Sequence, residues 1–192
     1  MPTPACDVKE ATIECMRHPI GTKPLKELVK KGDKVAILLM NCLEWLPIYF
    51  GILKAGAIAV PLNFRYTSDE IDYCLADAEA KAVFFDASSE EATGASGGAR
   101  ALPRIGVGPL ESKDSTCDWE ALLAGPASPL QAAADAEDLS LMLYTSGTTG
   151  KPKGVPRRHR QERAAALAHV AQNLYRRGER TLGVMPLYHT MG

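Results

Sequence analysis

The chain predicts an α/β protein: mostly parallel sheet flanked by helices. Three observations carry this. Short continuous apolar runs of strand length recur at Val35–Met40, Ala57–Pro61 and Ala82–Phe85, the pattern of strands buried on both faces. They alternate with stretches of helical periodicity, and strand-helix-strand-helix-strand in that order implies right-handed parallel crossovers. Further on, the run DLSLMLY reads as another buried strand that opens into a Gly/Thr/Ser loop, with a long alanine-rich helix pattern beyond it.

Taken in order, residues 1–30 are weakly patterned and form a divergent leader, in which Leu25, Leu28 and Val29 mark the last turns of a helix. After the Val35–Met40 strand, Glu44–Ala55 reads as helix, stopped by Gly56. Ala57–Pro61 is the second strand. Thr67 with Glu70 makes a capping box, and the helix it starts is apolar at Ile71, Cys74, Leu75 and Ala78, one face at helical spacing. Ala82–Phe85 is the third strand. Ser88–Gly98 is poor in bulky apolar residues and predicts a mobile surface loop. Ile105–Val107 and Trp119–Leu123 read as a strand and a short helix, closing a first α/β subdomain over 31–123. A Pro/Ala-rich linker follows over 124–137, and 138–192 begins a second, nucleotide-binding unit. There His159–Tyr175 is the long helix, with Leu167, Val170, Ala171 and Leu174 as its apolar stripe, and Leu182–Met185 is the next strand. That strand would deliver Tyr188 and His189 at its carboxyl end, where open α/β sheets bind ligands.

With 192 residues the chain has room for one domain or a little more. Its 46% apolar and 23% charged residues are ordinary for a soluble globular protein. A net charge of −1 argues against general affinity for nucleic acid or membrane surfaces. The basic cluster Lys151, Lys153, Arg157, Arg158, His159, Arg160 and Arg163 lacks interleaved aromatics and includes Glu162, so it reads as a solvated helix start. The five cysteines, at 6, 15, 42, 74 and 117, are odd in number and form no C-x-x-C pair. Reduced cytosolic thiols are the expectation, and with no signal peptide visible the predicted location is cytoplasmic. Trp45–Leu62 is the one stretch apolar enough to suggest a membrane span, but Lys54 and several Pro and Gly interrupt it.

The richest chemistry lies in Tyr144–Val155, Y-T-S-G-T-T-G-K-P-K-G-V. Glycines let the backbone approach a phosphate, amides and hydroxyls donate to it, and lysine balances its charge. This is not the G-x-x-x-x-G-K-[ST] loop of P-loop nucleotidases. Thr145 stands where its first glycine should be, Pro152 follows Lys151, and proline disfavours helix at that lysine. The stretch does resemble the signature of the adenylate-forming superfamily, which includes acyl-CoA and aryl-CoA ligases, luciferases and peptide-synthetase adenylation domains. Lys31–Asn63 looks like that family's first strand-helix-strand unit, and Met185–Gly192 (MPLYHTMG) looks like its P-x-[FY]-H-x-x-G substrate-pocket segment.

The resemblance implies an incomplete N-terminal domain of the adenylate-forming fold. It implies that Thr145, Ser146, Gly147, Thr148, Thr149 and Gly150 wrap the β- and γ-phosphates of ATP. Thr145 would also contact the bridging Mg2+, and Lys153 would neutralise pyrophosphate. Lys151 falls at a variable position and is expected to face solvent. His189, with Tyr188 packed beside it, would line the pocket of a carboxylic acid, fatty or aromatic, and tilts the substrate away from amino acids. The implied reaction forms an acyl-adenylate and then a thioester with coenzyme A. The family's adenine- and ribose-binding segments, acidic metal ligand and catalytic lysine would lie beyond Gly192, so this stretch alone is expected to bind ATP poorly and not to turn over. The alternative expectation is a truncated, non-catalytic protein that binds a partner through the apolar face its missing half would cover. The particular acid, the choice between coenzyme A and a carrier-protein thiol as acceptor, and the oligomeric state are not legible.

Overall fold

Lys34–Leu38 forms strand β1 at the heart of the sheet in the computed structural model, which describes residues 28–112, 115–123, 134–145, 151–180 and 182–189. The other strands are β2 (Ile58–Pro61), β3 (Ala80–Asp86), β4 (Arg104–Val107), β5 (Cys117–Asp118), β6 (Leu139–Thr145) and β7 (Lys153–Arg158). They make one seven-stranded sheet in the order β5-β4-β3-β1-β2-β6-β7. Every neighbouring pair is parallel except β6 with β7. The α/β expectation holds, and β6 and β7 extend the same sheet that β1–β5 begin.

The sheet is wound on both faces because its inner strands are apolar at every position. In β1, Val35 and Ile37 enter one core while Ala36 and Leu38 enter the other, all with no exposed surface. Helix α1 (Trp45–Lys54) covers the first face and α2 (Ser68–Ala78) the second. Pro47 fits α1 because first-turn amides have no intrahelical acceptor to lose. The helix stops at Gly56, whose φ of 78° suits the left-handed turn beyond a C-cap. The predicted capping box of α2 is present: Thr67 Oγ1 accepts from the Glu70 amide, and Glu70 Oε2 accepts from the Thr67 amide. Its buried residues are the four expected, Ile71, Cys74, Leu75 and Ala78.

Four expectations are corrected. Ser88–Gly98 is not a plain loop: it holds α3 (Glu90–Ala95) and the start of α4 (Gly97–Arg100), tied down by polar bonds rather than bulky apolar residues. Ser89 Oγ donates to the Leu38 carbonyl at 2.6 Å, and the Gly98 amide donates to Asp72 Oδ1 at 2.8 Å. Second, the polar loop after β6 does not lead straight into a helix, because β7 intervenes as an antiparallel edge strand. Third, the long helix α6 (His159–Asn173) ends two residues early, at Leu174 with φ 54°, and its predicted apolar stripe is uncovered: Leu167 is 59% and Leu174 79% exposed. Fourth, Leu182–Met185 is not a strand, since among the described residues no strand pairs with it and a strand needs a ladder. The short helix α5 (Trp119–Leu123) is as expected, its indole set edge-on to Phe84 at 6.2 Å. Most of the proposed linker, 124–133, and most of the leader lie outside the described residues.

Candidate functional site

Because β6 runs parallel to β2, its last residue, Thr145, stands at the carboxyl edge of the sheet. β7 returns antiparallel and begins at that edge with Lys153, which is Thr145's direct partner in the ladder. Both side chains are exposed. A residue with a hydroxyl and one with an ammonium are therefore paired and exposed at the two ends of the 146–150 connection. Ser146, Gly147, Thr148, Thr149 and Gly150 lie outside the described residues.

The strand pair is built tightly behind this edge. Tyr144 and Met142 point to the α2 face, and Leu141 and Leu143 to the α1 face. Tyr144 pairs with Gly154, and a side chain there would meet Met142 Sδ at 3.0 Å and Tyr144 Cζ at 3.2 Å. A side chain at the glycine of the P-K-G triplet would therefore crowd both Met142 and the tyrosine that opens the same motif. Burial, and then the acceptor Asp77, push the Tyr144 phenol well above its ordinary range, so it remains a hydrogen-bond donor. Lys151, expected in solvent, is exposed but sits over the Tyr73 ring at 5.1 Å.

Residues 185–189 reach the same edge by a different route. Asn41, just past β1, grips them with both ends of its amide: Nδ2 donates to the Met185 carbonyl at 2.9 Å, and Oδ1 accepts from the Leu187 amide at 2.9 Å. Leu187 packs on the α1-side core. Tyr188 meets Phe64, just past β2, edge-on at 5.9 Å. His189 donates its amide to the Pro186 carbonyl at 3.0 Å. It also lines a cavity of about 190 Å³ with Trp45, Tyr49, Leu143, Leu187 and Glu162 among its walls. Trp45 and Tyr49 stack at 5.6 Å in that wall. Tyr188 and His189 therefore gather at the ends of β1, β2 and β6, although no strand carries them there.

Arg157, Arg158 and Arg160, at the start of α6 and unfavourable to the helix dipole on their own, have carboxylate partners. Arg157 Nε lies 2.5 Å from Glu162 Oε1, and Arg160 Nε 2.9 Å from Glu137 Oε1. Arg158 also reaches Glu137, through that residue's carbonyl. The Arg158 amide donates to Gln161 Oε1 at 2.7 Å, one half of a capping box. Sequence reasoning missed Asn41, Tyr73, Asp77 and Gly154 as parts of this edge. An asparagine directly after an apolar strand was the one available signal.

The fold and this edge define an α/β protein that brings the paired Thr145 and Lys153 and a histidine-bearing segment to the carboxyl ends of a parallel sheet. The chain belongs to the AMP-binding enzyme family, which it matches over residues 25–192. It is 34% identical over 161 residues to a long-chain-fatty-acid–CoA ligase of Mycobacterium tuberculosis, covering 84% of this chain and 31% of that relative. It is 32% identical over 161 residues to a feruloyl-CoA synthase of Amycolatopsis sp, covering 84% and 30%. Among solved structures, the inhibitor-bound N-terminal domain of FACL13 from Mycobacterium tuberculosis superposes with a TM-score of 0.75 at 27% identity, over 93% of this chain and 44% of that one. ATP-bound MatB from Rhodopseudomonas palustris gives 0.76 at 28% identity, over 92% and 35%. The chain spans about a third of the length of the curated relatives it matches.

Proposed function

We propose that this chain supplies the polyphosphate-binding edge and part of the acid pocket of an ATP-dependent acid–thiol ligase. In this reading the longer enzyme activates a fatty or aromatic carboxylic acid and passes it to coenzyme A. The observation that carries the reading is the direct pairing of Thr145 with Lys153 at the sheet edge that also holds Tyr188 and His189. The names of the relatives support the acid-to-thioester chemistry and a reduced, cytoplasmic setting suits the free thiols Cys42, Cys74 and Cys117.

The residues present fit a polyphosphate. Thr145 offers a hydroxyl and Lys153 a cation, and both are accessible from the same side. Among the described residues no three His, Cys, Asp or Glu side chains cluster tightly enough to hold a metal ion. Thr145 would be a single oxygen ligand to Mg2+, with the phosphates supplying most of the rest. ATP supplies the activated phosphorus that the acid attacks. The chain's part is placement and charge: Thr145 with the 146–150 connection orients the phosphates, Lys153 balances the charge that grows on departing pyrophosphate, and His189 lies beside the acid.

Acid-dependent ATP–pyrophosphate exchange tests this, using the 192-residue chain and a product of the family's full length carrying the same sequence. We expect no exchange from the former and exchange from the latter with a panel of fatty and aromatic acids. Lys153→Ala should lower kcat by roughly 100-fold. Undiminished exchange in that variant would remove Lys153 from the site.

A second reading has its own observation: the uncovered stripe of α6, Leu167, Val170 and Leu174, with Leu182 and Val184 beyond it. A non-catalytic protein that binds a partner there would show no exchange at any chain length.

A further inference from the structure

Both shoulders of the 146–150 connection touch one face of one helix. On the incoming side the Tyr144 hydroxyl donates to Asp77 Oδ2 at 2.7 Å and lies 3.2 Å from the Cys74 carbonyl. On the outgoing side the Lys151 ammonium rests over the Tyr73 ring, 5.1 Å from its centroid. Tyr73 and Asp77 are four residues apart in α2, the spacing that stacks two side chains on one helix face. Neither contact belongs to the β-ladder, and neither residue falls in the signature loop.

The helix that carries them is itself well held. Its capping box fixes the first turn, and its opposite face is buried against β1 and β3. Asp72, between the two faces, accepts from Ser96 and from the Gly98 amide of α4. Tyr144 is paired with Gly154 in the ladder, so moving Tyr144 moves β7 with it. A displacement of α2 would reach Thr145 through Tyr144 and Lys153 through Lys151 and Gly154.

We propose that Tyr73 and Asp77 are positioning residues that set where Thr145 and Lys153 stand, by gripping the chain on either side of the phosphate loop. The inference rests on the polyphosphate reading for its purpose, not for its geometry. A charge-assisted hydrogen bond and a cation–π contact have different strengths, so the two grips should be unequal, with Asp77 the stronger.

Amide hydrogen exchange followed by NMR on the whole chain tests it, with Thr145, Lys153 and Gly154 as reporters and Ile37 and Phe84 as controls deep in the sheet. Tyr144→Phe and Asp77→Ala should speed exchange at the reporters about tenfold. Asp77→Asn, which keeps an acceptor, should restore it. Tyr73→Leu should give about threefold, and Tyr73→Trp, which keeps a π face, should restore it. Unchanged reporters, or equal acceleration at Ile37 and Phe84, would overturn the proposal, as would failure of both rescues. MgATP added to a full-length product carrying the same sequence provides the separate arm. If a full-length product shows no protection of Thr145 or Lys153 by MgATP, the polyphosphate reading falls while the variant comparison still decides the grip.

Discussion

Gly154 shows how a signature residue can be dictated by packing before any ligand arrives. Its missing side chain leaves room for a Tyr144 ring whose hydroxyl is tied to Asp77 and which therefore cannot swing away. Gly154→Ala should cost about 1–3 kcal/mol by overpacking, read as a lower urea midpoint. Adding Met142→Ala should recover part of that loss, because Met142 Sδ is the other near neighbour; no recovery would place the strain elsewhere. Titration makes a second residue-scale prediction. Burial pushes the Cys42 and Cys74 thiols from 9.0 up to about 12, and the Tyr49 and Tyr66 phenols from 10.0 up to about 12. The unfolded chain therefore releases these protons first, beginning near pH 9, while the folded chain keeps them. Stability should be flat with respect to these groups below pH 9 and fall steadily from there to about pH 12. Urea midpoints across that window check it, and Cys74→Ala should make the fall shallower. Thr145, Lys153, Tyr188 and His189 could be proposed as site residues from the sequence because their types and spacing form a local pattern. Asn41, Asp77 and Tyr73 could not, because each acts on a residue far along the chain: 70 positions separate Cys74 from Tyr144, and 144 separate Asn41 from Met185.

At the scale of elements, what the sequence announces is what its own short-range chemistry determines. β1, α1, β2, α2 and β3 follow from apolar runs, a capping box and a stop glycine, and each forms within two residues of expectation. β7 escaped because an edge strand needs little apolar content: Lys153, Val155 and Arg158 are exposed, and Pro156 is tolerable at an edge that gives up an outward ladder bond. α3 and α4 escaped because Ser89 and Ser96, polar in the sequence, are buried and bonded in the fold. The end of α2 is a place to improve. Glu79 closes it in the left-handed region at φ 52°, a conformation costly for any residue with a Cβ. Its ion pair with Lys34 is 3.5 Å long and 76% exposed on the carboxylate side, so little is lost with it. Glu79→Gly should stabilise the chain by about 0.5–1 kcal/mol, after the glycine's extra freedom in the unfolded state is set against the relieved strain. A thermal midpoint that fell would show that the ion pair outweighs the strain.

The whole molecule carries a contrast between a finished half and an open one. Around β1 both cores are closed, whereas α6 has no buried residue at all. Leu167, Val170, Leu174, Leu182 and Val184 are all exposed large apolar side chains, the kind of surface that favours association where it is contiguous. We expect the 192-residue chain to associate as its concentration rises, and Leu167→Lys with Val170→Glu to return it to a monomer in sedimentation. Monomeric behaviour of the unaltered chain at all concentrations would show that this face is harmless on its own. Among the described residues no helix is long and apolar enough to cross a membrane, so the stripe is not a bilayer span.

The two bonds from Asn41 to Met185 and Leu187 also set a clock. An asparagine made early must wait for a segment 144 residues further along the chain, which at ordinary rates of synthesis is a delay of roughly 7 to 30 s. β1 to β5 can assemble in that interval, with water on the Asn41 amide. The stretch bearing Tyr188 and His189 then docks onto a surface already made, so mutations in Asn41 should spare the early sheet and weaken the later docking of 185–189.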